Sequence, residues 1–301
     1  MAMKLDGKLV VGISSRALFD LEEENRIFEN EGLEAYSKYQ QEHENDILKP
    51  GTAFPLVKAL HNLNCKDKQL TEIIIMSKNS TSTSMRIFNS IKHYGLDISR
   101  AALVSGMSIA PYLTAFKTDL FLSASESDVQ EAINANIAAG IICTNKGLPI
   151  DPDEEISQIR IAFDGDAVIF SDESEKIYQE SGLAAFEKHE EENAKKPLPE
   201  GPFAKLLKTI SIVQNAFEPD KNPIRTALVT ARNAPAHERV IRTLRAWNVR
   251  IDEAFFLGGI PKSAVLKAFG AHIFFDDQTV HTDPASELVP AARVPYKNNK
   301  E

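Results

Sequence analysis

Two acidic segments carry the reactive groups of this chain: Asp164 and Asp166 in IRIAFDGDAVIFSDESE, and Asp276-Asp277 in HIFFDDQ. Between them lie Thr230 in ALVTAR and Lys262 in LGGIPKSAVLKAFG. Carboxylates grouped with a lysine and a hydroxyl suit transfer of a phosphoryl group to water. A phosphate monoester dianion repels an approaching carboxylate, so a nucleophilic aspartate needs a divalent cation and a lysine to offset both charges. Oxygen ligands with no paired His or Cys favour magnesium. Each group taken singly has a plainer explanation, since strand-end Asp residues cap helices or make Asx turns and a lone Lys is solvated. The weight rests on their order, because all four features fall at the ends of predicted strands, where open α/β sheets bind ligands.

The strands that position them are short apolar runs: IRIAF, TALVT, AFFLG and HIFF. Earlier in the chain KLVVGIS, EIIIM, AALVS and DLFLS have the same character. Helical patterns alternate with these runs, which predicts parallel sheets flanked by helices on both faces. Residues 137 to 156 supply one more short strand and then a Gly/Pro/Asp-rich turn cluster, and AARVPYKNNKE reads as a short closing strand or arm with a frayed tail. Two inserts, residues 20 to 50 and 171 to 200, read as small helical flaps, the second with Ile177, Leu183 and Phe186 on one side. Its Glu-rich part around residues 187 to 193 fits a solvated surface helix equally well. Trp247, Phe255 and Phe256 read as core, and His237 as a helix-capping or surface residue.

The chain also contains itself twice, because residues 10 to 51 match residues 160 to 201 at a constant shift of 150. Identical pairs include Ala17/Ala167, Gly32/Gly182, Leu33/Leu183 and Gly51/Gly201. The reading is a tandem duplication: a unit over residues 1–150, and a second over 151–301 with its cap insert at about 171–200. In the first unit Ser14, Arg16, Met76, Ile109 and Ser123-Ala124 stand where the second has Asp164, Asp166, Thr230, Lys262 and Asp276-Asp277. The first unit therefore lacks every reacting group and is left with packing, assembly or recognition.

The four strand-end features of the second unit resemble the haloacid dehalogenase superfamily, whose motifs are a D-x-D strand end, a Ser/Thr strand end, a Lys and an acidic pair. More narrowly, SSRALFDL, AFDGDAVIFSDESE, LVTAR, HIFFDDQ and the closing VPY resemble the cytosolic 5′-nucleotidase I family over nearly the full length. The resemblance implies a phosphatase whose substrates are nucleoside 5′-monophosphates, AMP first, with a nucleoside di- or triphosphate as effector. Asp164 is then the nucleophile and Asp166 the general acid and base. Thr230, the Ala231 amide and Lys262 hold the phosphoryl oxygens. Magnesium is bound by Asp164, Asp166 through its backbone carbonyl, Asp276 and Asp277, the last as a ligand or as a residue orienting one. Weaker candidates for substrate or effector contacts are Ser14, Ser15 and Arg16 with the SKNSTSTS run, Phe19, Phe170 and Tyr178 as stacking residues, with core packing an equal reading for Phe170, and His281 beside the site. A phosphatase for another small phosphomonoester, or a nucleotide sensor without turnover, are the competing readings.

Composition bounds this further. A net charge of −9 with scattered acidic residues disfavours nucleic acid and anionic membranes as partners. No apolar run approaches the ~20 residues that cross a bilayer, and no signal-peptide pattern is present, so a cytoplasmic location is expected. Cys65 and Cys143 lie far apart in apolar stretches, as buried reduced thiols do. The sequence leaves oligomeric state open.

Overall fold

Runs rich in Ile, Val, Leu and Phe between turn formers fold as short strands buried on both faces, as parallel strands under helices must be. The computed structural model describes residues 5, 7–64, 68–144 and 147–297, and Cys65 lies outside them. Its strands are β1 (Leu9–Ile13), β2 (Thr71–Ser77), β3 (Arg100–Leu103), β4 (Leu120–Ser123), β5 (Ala138–Ile142), β6 (Ile159–Phe163), β7 (Ile224–Thr230), β8 (Glu253–Phe256), β9 (Ile273–Asp276) and β10 (Ala291–Arg293). They form a single sheet in the order β3-β2-β1-β4-β5-β10-β9-β6-β7-β8. Every pairing is parallel except β5 with β10.

One continuous sheet replaces the separate sheets expected from the strand pattern. The outermost strands of the two halves, β5 and β10, meet edge to edge, with Ala292 opposite Ile142 and Arg293 opposite Ile141. This pairing satisfies backbone groups that each half would otherwise expose at an edge. Gly140 makes room for it, since a Cβ there would lie 2.9 Å from the Ala292 Cβ and 3.1 Å from the Phe275 ring.

Helices flank the sheet, and the core of the second half includes Phe163, Phe203 and Phe275, with ring centroids 4.8 to 6.2 Å apart. Trp247, Phe255 and Phe256, read as core, are half-buried and pack against the edge of the core. The two phenylalanines sit on β8, an outer strand of the sheet, and Trp247 caps the helix His237–Ala246 with its ring 5.7 Å from Phe170. Cys143 is likewise half-buried just beyond β5. Among the described residues no helix is long and apolar enough to cross a membrane.

The inserts contain the helical stretches Glu22–Glu42 and Glu173–Glu192, each broken at a glycine: Gly32 at φ 86° and Gly182 at φ 78°. L-residues rarely adopt that conformation, so glycine permits the reversal. The second insert folds back on itself, bringing Ser174 to within 2.9 Å of Glu190. That reversal overturns the expected apolar side: Phe186 is buried, Ile177 is half-buried, and Leu183, next to the break, is 54% exposed. A helical period does not run through a point where the chain turns back. Glu190, within the stretch that reads equally as a solvated surface, is 1% exposed.

Candidate active site

The register of two neighbouring strands assembles the acidic cluster. Phe163 on β6 pairs with Phe275 on β9, so the next residues, Asp164 and Asp276, stand side by side at the same sheet end. The Asp164 amide donates to the Phe275 carbonyl at 2.8 Å, which fixes the strand end. Lys262, the first residue of the helix Lys262–Phe269, reaches between them: its Nζ donates to Asp164 Oδ1 at 2.6 Å and to Asp276 Oδ2 at 2.7 Å. The other Asp276 oxygen accepts from the Gln278 amide at 2.9 Å. Asp277 accepts a hydrogen bond from the Tyr296 hydroxyl, carried by the closing arm.

Asp164, Asp276, Asp277 and Lys262 are all buried. Burial pushes the Asp164 carboxyl up to about 7; Lys262 opposes this, while Asp276 and Asp166 add to it. Burial, with Asp164 behind it, pushes Asp277 up to about 8. Asp276 is raised as well, chiefly by burial. Burial works against the Lys262 ammonium, but Asp164 and Asp276 outweigh it and hold that group above the usual lysine range. One lysine against three carboxylates leaves excess negative charge in a poorly solvated place, and a cation is the natural counterweight. Asp164, Asp276 and Asp277 each offer an oxygen, all within 4.8 Å of one another. This all-oxygen donor set fits a hard divalent ion. His281 is half-buried beside the cluster, its pKa lowered by burial and by Lys262.

Thr230 ends β7 and is buried, with Ala231 exposed directly after it. A Cβ built on Gly165 would lie 3.5 Å from Thr230 Oγ1, so the hydroxyl faces the Asp164–Asp166 turn. Asp166 is oriented differently from the other acids. Its oxygens accept from Arg232 Nε at 2.7 Å and Nη2 at 2.6 Å, and its carboxylate is not in the cluster of three. Arg232 Nη1 in turn donates to Glu190 of the flap at 2.5 Å, and Glu190 also accepts from Arg239 and Ser174, both at 2.9 Å. Sequence reasoning assigned no role to Arg232, Arg239, Glu190 or Tyr296. The available signal was Arg232 itself, two residues past Thr230 at the same strand end.

The weaker candidates are dispersed. Ser14 caps the short helix Ser15–Leu18 through the Ala17 amide, Ser15 hydrogen-bonds Ser77 at 3.3 Å, and Arg16 forms a two-point pair with Glu22 at 2.8 and 2.9 Å. Arg16 also lines a cavity of about 350 Å³ that takes Ser286 from the second half. Phe170 is 0% exposed and packed on Trp247, which leaves no face for a stacked base. Tyr178 lies on the flap, 48% exposed, edge-on to Phe186. His237 starts its helix, half-buried against Phe256.

A family model described as 5′-nucleotidase matches residues 1–301. The chain belongs to the 5′-nucleotidase family. It is similar to human cytosolic 5′-nucleotidase 1B, with 40% identity over 296 residues that cover 93% of this chain and 47% of the human protein. The chain thus spans about half the length of this curated relative. No solved structure gives a significant match.

Proposed function

We propose that this 5′-nucleotidase family member hydrolyses nucleoside 5′-monophosphates, AMP first among them, to nucleoside and phosphate in the cytoplasm. The observation that carries the reading is Lys262 bridging Asp164 and Asp276 beside Asp277, a buried acidic site at the C-terminal ends of the parallel strands β6 and β9. Asp164 attacks phosphorus as the bond to the ribose oxygen breaks, giving an aspartyl-phosphate. Asp166 protonates the departing ribose oxygen, then takes a proton from the water that releases phosphate and restores Asp164. Lys262, Thr230 and the Ala231 amide hold the phosphoryl oxygens as charge shifts among them. Asp164, Asp276, Asp277 and the Asp166 carbonyl would hold magnesium, which when bound offsets charge on the nucleophile and the phosphoryl group.

The first half is, in the same proposal, a degenerate copy of the catalytic unit. Both halves have one strand order, β3-β2-β1-β4-β5 and β8-β7-β6-β9-β10. Matching hydrogen bonds recur: the Leu48 amide to Ser90 Oγ and the Leu198 amide to Thr243 Oγ1, and Arg86 Nε to the Asp46 carbonyl and Arg239 Nε to that of Lys196. Duplication of residues 1–150 into 151–301 accounts for these pairs, and only the second copy keeps the acids. A nucleotide effector and assembly of several chains remain parts of this reading that the first copy would serve.

The test is phosphate release from a panel of nucleoside monophosphates and simple sugar phosphates, with magnesium and with EDTA. Metal-dependent release, highest kcat/KM on a nucleotide, is the expected result. Release from sugar phosphates alone, or none with tight nucleotide binding retained, overturns it.

A further inference from the structure

The flap reaches Asp166 through a single buried guanidinium. Arg232 points two of its nitrogens at the two oxygens of Asp166 and a third at Glu190 on the far arm of the insert. The Phe186 ring of the same arm lies 5.3 Å from that guanidinium. Glu190 is fixed from its other oxygen by Arg239 and Ser174. Arg232 and Arg239 face Asp166 and Glu190, with Glu173 3.7 Å from Arg239 at the more exposed edge, and the Arg232 and Glu190 side chains are 2% and 0% exposed. A planar fork bonded at both edges holds the plane of the carboxylate it grips. Asp166 itself sits on the turn after β6, followed by Ala167 at φ 60°.

We infer that Glu190 and Arg232 are positioning residues that set the carboxylate of Asp166 for proton transfer to the leaving group, so that the folded flap is a condition for that step. The inference rests on the proposed role of Asp166 as acid. It predicts a fault confined to proton delivery. When the nucleoside departs, the ribose oxygen must receive a proton as its bond to phosphorus breaks. When p-nitrophenolate departs from the same phosphoryl group, it leaves as a stable anion and needs none. Loss of the Glu190 contact therefore separates the two leaving groups in the first turnover, before water attacks the phosphorylated aspartate.

The first half supplies a variant that respects the buried charge balance. There Glu24 and Gln40 stand at the positions matching Ser174 and Glu190, and Arg86, the counterpart of Arg239, pairs with Glu24 at 2.5 Å. The double change Ser174→Glu with Glu190→Gln copies this arrangement, keeping an acid for Arg239 while removing the one that holds Arg232. Glu190→Gln alone and Arg232→Lys are its companions.

The experiment is rapid-quench measurement of first-turnover nucleoside release from AMP and of p-nitrophenol release from p-nitrophenyl phosphate, with magnesium. With enzyme in excess over substrate, each release is read as a single turnover. In the double variant, nucleoside release is expected to slow at least about tenfold and p-nitrophenol release by less than about threefold. Equal slowing of both, or of neither, overturns the inference and leaves the proposed hydrolysis standing. An Asp164→Asn protein that still turns over removes the hydrolytic mechanism and this inference with it.

Discussion

Lys262 Nζ lies 2.6 Å from Asp164 Oδ1, and the same nitrogen lies 2.7 Å from Asp276. One buried cation thereby ties the ends of β6 and β9 and shares its charge between two acids. Lys262→Met removes the ammonium that Asp164 and Asp276 share. Turnover is expected to fall by about 10²–10³-fold. Uncompensated buried charge is also expected to cost about 3 kcal/mol of stability at pH 8. Steady-state kinetics and urea unfolding measure both; a variant with near-normal turnover contradicts the role given to Lys262.

Proton binding and metal binding compete at this site. Asp164, raised to about 7, and Asp277, raised to about 8, keep their protons in the metal-free fold at pH values where the unfolded chain, with carboxyl pKa values near ~3.9, has lost them. Their contribution to stability is therefore fully present below about pH 4 and declines as pH rises towards 7 and 8. A divalent cation takes the place of those protons. The rise in Tm on adding magnesium is expected to be larger at pH 8.5 than at pH 6, and calorimetry in buffers of different ionisation enthalpy should show proton release on binding at pH 6.5. An equal Tm rise at both pH values contradicts the assignment of these carboxyls as ligands.

The sheet junction depends on Gly140. A Cβ there would approach Ala292 to 2.9 Å, so Gly140→Val forces β5 and β10 apart. The expected loss is about 1–3 kcal/mol by chemical denaturation. Unchanged stability contradicts the antiparallel join.

Phe170 separates core packing from substrate contact. It is fully buried against Trp247, so Phe170→Leu is expected to lower stability by about 1–2 kcal/mol while leaving KM for nucleotides unchanged. A KM rise without loss of stability contradicts its placement.

The strands and the clustered acids were legible in the sequence because a polar residue ends or directly follows each short apolar run, as at Asp164 after β6, Thr230 on β7 and Asp276 on β9. The pairing of Phe163 with Phe275, which makes neighbours of Asp164 and Asp276, follows from strand order that alternation alone does not give. The join of β5 to β10 was hidden for a similar reason, since a strand of three residues at the chain's end carries no mark of its partner. Glu190 was masked by its neighbours: surrounded by exposed glutamates, it becomes buried only because the insert turns back at Gly182 and delivers it to Arg232.

Acid-quenched protein from a single turnover with a nucleoside monophosphate and magnesium, digested and read by mass spectrometry, tests the central claim most directly. The account predicts phosphate on the peptide carrying Asp164, absent from Asp164→Asn; phosphate found on another residue, or nucleotide hydrolysed with no phosphorylated protein at any time point, would contradict it.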